Sequence, residues 1–188
     1  NHPWAATYFD DEVSPAEGTS SEEFYQIYHK FGYDQAVSRA SDSLSYVYRL
    51  DEKYWLMMLD SCMCEPVHET GGKLSEETVA WMKTQLEEAK KQGVTVIPVS
   101  HHNLLDESTL YPEECTIENT KEVTALLEAY GVPVYLSGHL HLQRIKKHTS
   151  NLNTPGGYGI REIVTSPLPM APCQYSILNW QADGSLSY

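Results

Sequence analysis

The feature that most restricts the fold of this 188-residue chain is a helix followed by a buried strand, a unit that occurs twice in succession. The first unit is a helix over residues 75–93, with apolar residues at helical spacing, followed by an apolar strand over 94–99. The second unit is a helix over 121–130 followed by a strand over 133–137. Such alternation is typical of layered α/β folds, whose parallel strands carry functional residues at their carboxyl ends.

The rest of the chain contributes mainly strands to this pattern. We predict an irregular lead-in over 1–19, a short helix from the capping boxes at Thr19 and Ser20 to Gly32, a strand pair over 45–50 and 53–60, and strands over 159–166, 174–181 and 186–188. Neither an internal repeat nor a linker separates these elements. We therefore expect residues 1–188 to belong to a single domain.

Four of the eight histidines directly follow the two buried strands. His101 and His102 come after the first strand, and His139 and His141 come after the second. A single histidine at a strand end is more often a hydrogen-bonded side chain than a ligand. Two such groups on consecutive units instead indicate a metal site, because neutral imidazole is the commonest protein ligand for metals. The absence of nearby cysteines in these motifs favours Zn, Mn, Fe, Ni or Co.

The balance of charge restricts what the chain can bind. Its 26 acidic and 13 basic residues leave a formal charge of -13, which argues against a nucleic-acid polymer as a partner. A small phosphate ester could still bind at a local cation. The sequence has no apolar run of roughly 18 residues that would predict a membrane span, and its four cysteines are too few for a disulfide scaffold. The cellular compartment stays open.

The order and spacing of these motifs resemble the calcineurin-like metallophosphoesterase superfamily. The likeness rests on His101-His102 and, roughly 35 residues later, on Gly138-His139-x-His141. The flanking segments 21–28, 31–36, 43–46, 101–105 and 174–175 resemble a bacterial, cyclic-nucleotide-phosphodiesterase-like branch of that superfamily. The resemblance implies a partial αββα sandwich, with two mixed sheets flanked by helices. Residues 1–188 would form the C-terminal portion of that metallophosphoesterase domain.

The same resemblance implies a site with two divalent or trivalent metal ions, with Mn, Fe and Zn favoured. In that family the ligands come from five blocks, D-x-H, G-D-x-x-D, G-N-H-D or G-N-H-E, a later His, and G-H-x-H, of which the last two are present here. His101 and His139 would bind the second metal, and His141 would bind the first. His102 would be a catalytic neighbour of the substrate phosphate, or would form only a loop-stabilising hydrogen bond.

The start of the chain offers an alternative match to the third block. Asn1 and His2 could be its Asn and His, but Pro3 stands where that block needs an acidic residue. The stretch from Asn1 to Ala5 is more similar to a segment that follows this block in the same branch. We therefore expect the first three blocks to lie upstream, and an open sheet edge to be covered by an upstream segment or a partner chain.

The function implied is hydrolysis of small phosphate esters, with phosphodiesters favoured, by a dinuclear metal site in the intact parent. We expect this chain alone to be inactive, because the bridging Asp and most ligands of the first metal are missing. A metallo-β-lactamase-like site would need H-x-H-x-D-H, whereas Leu142, Gln143 and Arg144 follow His141. An amidohydrolase also uses an H-x-H pair. A non-catalytic binding domain, with structural or single-metal histidines, stays open as well.

Overall fold

A seven-stranded mixed sheet forms the centre of the fold in the computed structural model. The structure describes residues 6–9, 12–15, 18–64, 69–106, 112–148, 159–181 and 183–188. The strands are β1 Ala6–Phe9, β2 Glu12–Pro15, β3 Ser38–Arg39, β4 Tyr46–Arg49, β5 Tyr54–Leu59, β6 Thr95–Ser100, β7 Val134–Ser137, β8 Arg144–Lys147, β9 Arg161–Val164, β10 Asn179–Trp180 and β11 Leu186–Ser187. The helices are α1 Ser21–Tyr28, α2 Glu76–Gln92, α3 Pro112–Cys115 and α4 Thr120–Ala129.

The large sheet has the strand order β3-β4-β5-β6-β7-β9-β8. Strands β5, β6, β7 and β9 run parallel to one another, whereas β3, β4 and β8 pair antiparallel with their neighbours. The pairs β1-β2 and β10-β11 form two small antiparallel sheets. The carboxyl ends of β5, β6, β7 and β9 therefore meet along one edge of the large sheet.

Helix α2 shows how local sequence determines the layer that packs on this sheet. Its N-cap Ser75 accepts a hydrogen bond from the backbone N–H of Thr78 at 2.9 Å, and Gly93 ends the helix in the left-handed region at φ 68°. Its buried apolar stripe consists of Val79, Met82, Leu86 and Ala89. This stripe packs with α4 on one face of the sheet and forms the main core.

The two faces of the sheet are covered unequally. In β5, Trp55, Met57 and Leu59 point to the main core and are buried, whereas the alternating residues Tyr54, Leu56 and Met58 are partly exposed. The second face has a smaller cluster of buried residues, Ile97, Val134 and Ile163. The fold class expected from the sequence, a layered α/β sandwich with mixed sheets, is confirmed. An incompletely covered face agrees with a portion of a larger sandwich, which stays a prediction.

Three sequence predictions of secondary structure were wrong in part. The lead-in predicted to be irregular contains β1 and β2, the strand predicted over 174–181 is limited to β10, and β8 was not predicted. These strands are short: β1, β2 and β8 have four residues each and β10 has two, at or below the shortest length at which alternation of apolar and polar residues identifies a strand. Strand β8, with the sequence RIKK, lies at the outer edge of the large sheet, where charged residues discourage pairing with other chains. None of the described helices is both long and apolar enough to cross a membrane.

Candidate metal centre

The two loops that carry the histidines lie side by side because their strands are neighbours in the sheet. Strands β6 and β7 pair in parallel, with Val99 opposite Leu136. His101 directly follows β6, and His139 follows β7 after Gly138. The backbone N–H of Gly138 donates to the carbonyl of His101 at 3.1 Å, which continues the pairing of the strands into the loops.

Three imidazoles form a cluster at this edge. Ligand atoms of His101, His102 and His139 all lie within 4.8 Å of one another, and Nε2 of His101 is 3.0 Å from Nδ1 of His139. Two nitrogens that each bind one ion at about 2.1 Å are about 3.0 Å apart at a right angle and about 3.4 Å apart at the tetrahedral angle. The two rings are hydrogen-bonded to each other at this distance, and the same spacing also fits two ligands of one ion once the shared proton is released.

The local environment keeps these imidazoles neutral. His101 keeps an exposed surface, but partial desolvation of its ring, followed by the neighbouring rings of His102 and His139, lowers its pKa to about 4. Burial also lowers the pKa of His102 to about 4 and lowers the pKa of His139. At neutral pH the cluster is therefore uncharged, which is the form in which imidazole binds metals.

The ring of His102 is bound on both sides by the protein. His102 is fully buried, its Nε2 donates to the carbonyl of Thr70 at 2.9 Å, and its Nδ1 lies 2.8 Å from the hydroxyl of Ser61. Since Nε2 carries the proton, Nδ1 accepts the proton of that hydroxyl. These two hydrogen bonds are the contacts expected if His102 only stabilises its loop. A catalytic role of His102 at the substrate stays a prediction.

Gly72 packs directly against the ring of His102. A Cβ atom at Gly72 would lie 2.3 Å from Cγ and 2.4 Å from Nδ1 of His102. No side chain fits in that space, so glycine is required for the close approach of the backbone to the ring. The segment that carries Thr70 and Gly72 therefore holds His102 by a hydrogen bond and by contact.

The loop after β7 presents its histidines from an unusual backbone conformation. His139 and His141 have φ angles of 64° and 53°, in the left-handed region. His139 is half-buried, and its ring hydrogen-bonds the backbone of Glu114, a contact of the kind that orients imidazoles bound to metals. His141 is exposed and lies outside the three-histidine group. It is still close enough to add to the lowering of the pKa of His139, of which burial is the main cause.

Sequence reasoning missed the polar side chains that support both loops. Asn103, Ser137 and Glu162 are buried and joined by hydrogen bonds. The sequence offers no clear signal for Glu162, because it directly follows the charged Arg161 in β9 and charged residues are mostly exposed. Asn1 and His2 lie outside the described residues, so their match to the third block stays open.

The fold is similar to one already known. A crystal structure of a dimetal phosphatase from Danio rerio matches with a TM-score of 0.53 and 14% sequence identity, over 69% of this chain and 52% of that chain. This chain thus spans about half the length of that phosphatase. No protein-family model matches the sequence, and no curated protein matches it either. The likeness shows a fold similar to that of this phosphatase, as expected, while membership of the metallophosphoesterase superfamily and of its bacterial phosphodiesterase-like branch stays a prediction.

Proposed function

We propose that this chain is the C-terminal portion of a metallophosphoesterase that hydrolyses small phosphate esters. The observation that carries the proposal is the pair formed by Nε2 of His101 and Nδ1 of His139, 3.0 Å apart. These nitrogens lie at the carboxyl ends of neighbouring parallel strands, which is where α/β sheets place their ligands. The similarity in fold to a dimetal phosphatase supports the same function.

In this proposal His101 and His139 bind the second of two metal ions, and His141 contributes to the first. The neutral form of His101 and His139 at pH 7 leaves a ring nitrogen of each able to bind a cation without competition from a proton. In this proposal the remaining ligands would come from an upstream segment or from residues outside the described ranges. When bound, such a pair of ions lowers the pKa of a water nucleophile and neutralises charge on the phosphoryl group.

A cavity beside His101 supports a small substrate. It has a volume of about 370 Å³ and is lined on one side by the aromatic rings of Phe24, Tyr33 and Tyr46. Ligand sites for small molecules have volumes of roughly 300 to 1,000 Å³ and mainly apolar walls. A nucleic-acid polymer would also be repelled by the formal charge of -13. A phosphodiester such as a cyclic nucleotide is favoured within this class, on the strength of the sequence resemblance.

The test is metal content measured beside phosphodiesterase activity. The protein with its upstream segment, loaded with Mn²⁺ or Zn²⁺, should hydrolyse bis(p-nitrophenyl) phosphate, and His139→Ala should remove both a bound ion and most of the activity. His148→Ala is the matched control, because His148 pairs with Glu128 at the opposite end of the parallel strands. If His139→Ala keeps full metal content and full activity, the proposed function is wrong.

One observation favours the alternative of a binding domain that holds a single ion. Among the described residues, the group that could hold a metal contains three histidines and no carboxylate, and a carboxylate that bridges two ions is central to the dinuclear alternative. A stoichiometry of one ion in the protein with its upstream segment, without phosphatase or phosphodiesterase activity, would establish this alternative.

A further inference from the structure

A fully buried carboxylate lies beneath the two histidine loops. Glu162 lies in β9, which pairs with β7, and its exposed fraction is 0%. Removing a carboxylate from water is costly unless hydrogen bonds compensate for the lost hydration. The partners of Glu162 therefore indicate what its burial achieves.

At least three donors among the described residues bind the carboxylate of Glu162. The backbone N–H of Leu104 donates to Oε1 at 2.7 Å, and that of Leu105 donates to Oε2 at 2.6 Å. The hydroxyl of Ser137 donates to Oε1 at 2.6 Å. Both oxygens act only as acceptors in these bonds, which is the pattern of an ionised carboxylate. Hydrogen bonds of this type are short and stronger than those between neutral groups.

The three donors come from the loop of His101 and from the end of β7, the strand that leads into the loop of His139. Leu104 and Leu105 follow directly after His101, His102 and Asn103, whereas Ser137 precedes Gly138-His139. One side chain thus joins the loop of His101 to the strand end that carries His139.

Asn103 strengthens this connection from the other side. Its Nδ2 donates to the hydroxyl of Ser137 at 2.9 Å and to the carbonyl of Gly138 at 3.3 Å. A continuous chain of hydrogen bonds therefore runs from Asn103 through Ser137 to Glu162. The two loops are thus joined by this chain, by the backbone hydrogen bond from Gly138 to the carbonyl of His101, and by the register pair between β6 and β7.

We propose that Glu162 is a positioning residue that sets the distance between the imidazoles of His101 and His139. The proposal rests on the proposed function in that these imidazoles bind a metal. Glu162 acts only through the loops and does not touch the metal or the substrate. An amide cannot replace it, because the NH₂ group of Gln would face an N–H or O–H donor in place of one acceptor oxygen.

The test compares Glu162→Gln with a variant that is destabilised elsewhere. Glu162→Gln should weaken Co²⁺ binding by the protein with its upstream segment roughly tenfold, the lower end of the loss seen when direct partners of metal ligands are changed, because Glu162 acts one step further away. It should also alter the visible absorption of the bound Co²⁺. Leu86→Ala is the control, because Leu86 is buried in α2 and has no part in the network. It should lower stability without changing the affinity or the spectrum of Co²⁺.

A second pair of measurements needs no metal. In the metal-free protein, Glu162→Gln should speed hydrogen exchange of the Leu104 and Leu105 amides at least tenfold and shift the imidazole ¹⁵N resonances of His101 and His139. If Glu162→Gln does not fold, Ser137→Ala serves in its place, because it removes one donor and the link to Asn103. It should change the hydrogen exchange and the ¹⁵N resonances in the same direction but by less.

The outcomes separate the two hypotheses. If the unmodified protein binds no Co²⁺, the proposed function fails. The hydrogen exchange of the amides and the ¹⁵N shifts of the imidazoles then still decide the role of Glu162. If it binds Co²⁺ and Glu162→Gln binds equally well with the same spectrum, the positioning role is wrong while the proposed function stands. Unchanged amide exchange and ¹⁵N shifts in a folded variant overturn the positioning role in either case.

Discussion

The two loops that carry the candidate ligands are built in opposite ways. In the β6 loop, residues 101–106, the four central residues are buried, whereas every residue of the β7 loop, 138–143, is at least partly exposed. The β6 loop is held by His102 and by the carboxylate of Glu162. The β7 loop contains two non-glycine residues at positive φ. Packing thus determines the first loop, while the second adopts a conformation that local preferences oppose.

Because the two loops differ in burial, substitutions in one loop should affect stability and substitutions in the other should affect metal binding. Substitutions in the β6 loop remove buried contacts and should mainly lower the free energy of unfolding. Substitutions in the β7 loop remove few contacts and should mainly change the affinity for metal. The following predictions test that contrast, from the largest expected change in free energy to the smallest.

Two glycines, one packed against the β6 loop and one within the β7 loop, should differ most. Gly72→Ala places a Cβ atom 2.3 Å from the ring of His102, so it should lower the free energy of unfolding by about 3 kcal/mol through overpacking and broken hydrogen bonds. Gly138→Ala meets its nearest atoms only at 3.9 Å and should cost less than about 1 kcal/mol. Urea denaturation of both variants measures the difference. Equal losses would mean that the β6 loop is not held by close packing.

His102→Ala should behave as a change to the core. It removes the hydrogen bonds of the ring to Thr70 and Ser61 and leaves a cavity, so the free energy of unfolding should fall by about 2 to 3 kcal/mol. Metal content should stay that of the unmodified protein. Loss of a bound ion in a folded His102→Ala variant would instead make His102 a ligand and contradict the contrast between the loops.

His139→Ala should behave in the opposite way. The half-buried ring provides one of the two nitrogens that are 3.0 Å apart, so affinity for Zn²⁺ should fall about 100-fold, roughly 2.7 kcal/mol, while the stability of the metal-free protein changes by less than about 1 kcal/mol. Isothermal titration calorimetry and urea denaturation provide the two values. A large loss of stability in the metal-free protein would show that the cluster itself holds the β7 loop.

Acid should weaken the β6 loop through its histidines. Burial lowers the pKa of His102 to about 4, below the unfolded value of about 6.5, so the unfolded chain binds more protons between these values. The free energy of unfolding should therefore fall as the pH decreases from about 6.5 to about 4, with a slope of at most about 1.4 kcal/mol per pH unit for this group. His102→Ala should show a shallower slope in metal-free protein. An identical slope would contradict the lowered pKa.

The smallest effect concerns the backbone of the β7 loop. At position 139 the φ angle is 64°, a conformation that costs a non-glycine residue about 1 kcal/mol. His139→Gly should thus be more stable than His139→Ala by about that amount, whereas both variants lose metal binding equally. If the alanine variant is the more stable one, the loop is not strained at this position.

Much of the site could be predicted from the histidines that directly follow two apolar strands. The pairing of His101 with His139 followed from two consecutive helix-strand units, because a shared edge of parallel strands places their next residues together. The position of His141 outside the cluster could not be predicted, since two residues in the left-handed region turn the β7 loop in a way that no local propensity favours. The contacts of His102 also depend on Thr70, which is distant along the chain.

The sequence by itself determined the layered α/β fold, the helix boundaries of α2 and α4 to within one residue, and the presence of imidazoles at two neighbouring strand ends. These properties depend on periodicity, capping and the order of elements, all of which are local. Only the tertiary structure decided which imidazoles face each other, and that Glu162 joins their loops. The reason is that burial, pKa and hydrogen-bond partners are set by residues that meet only when the sheet has formed.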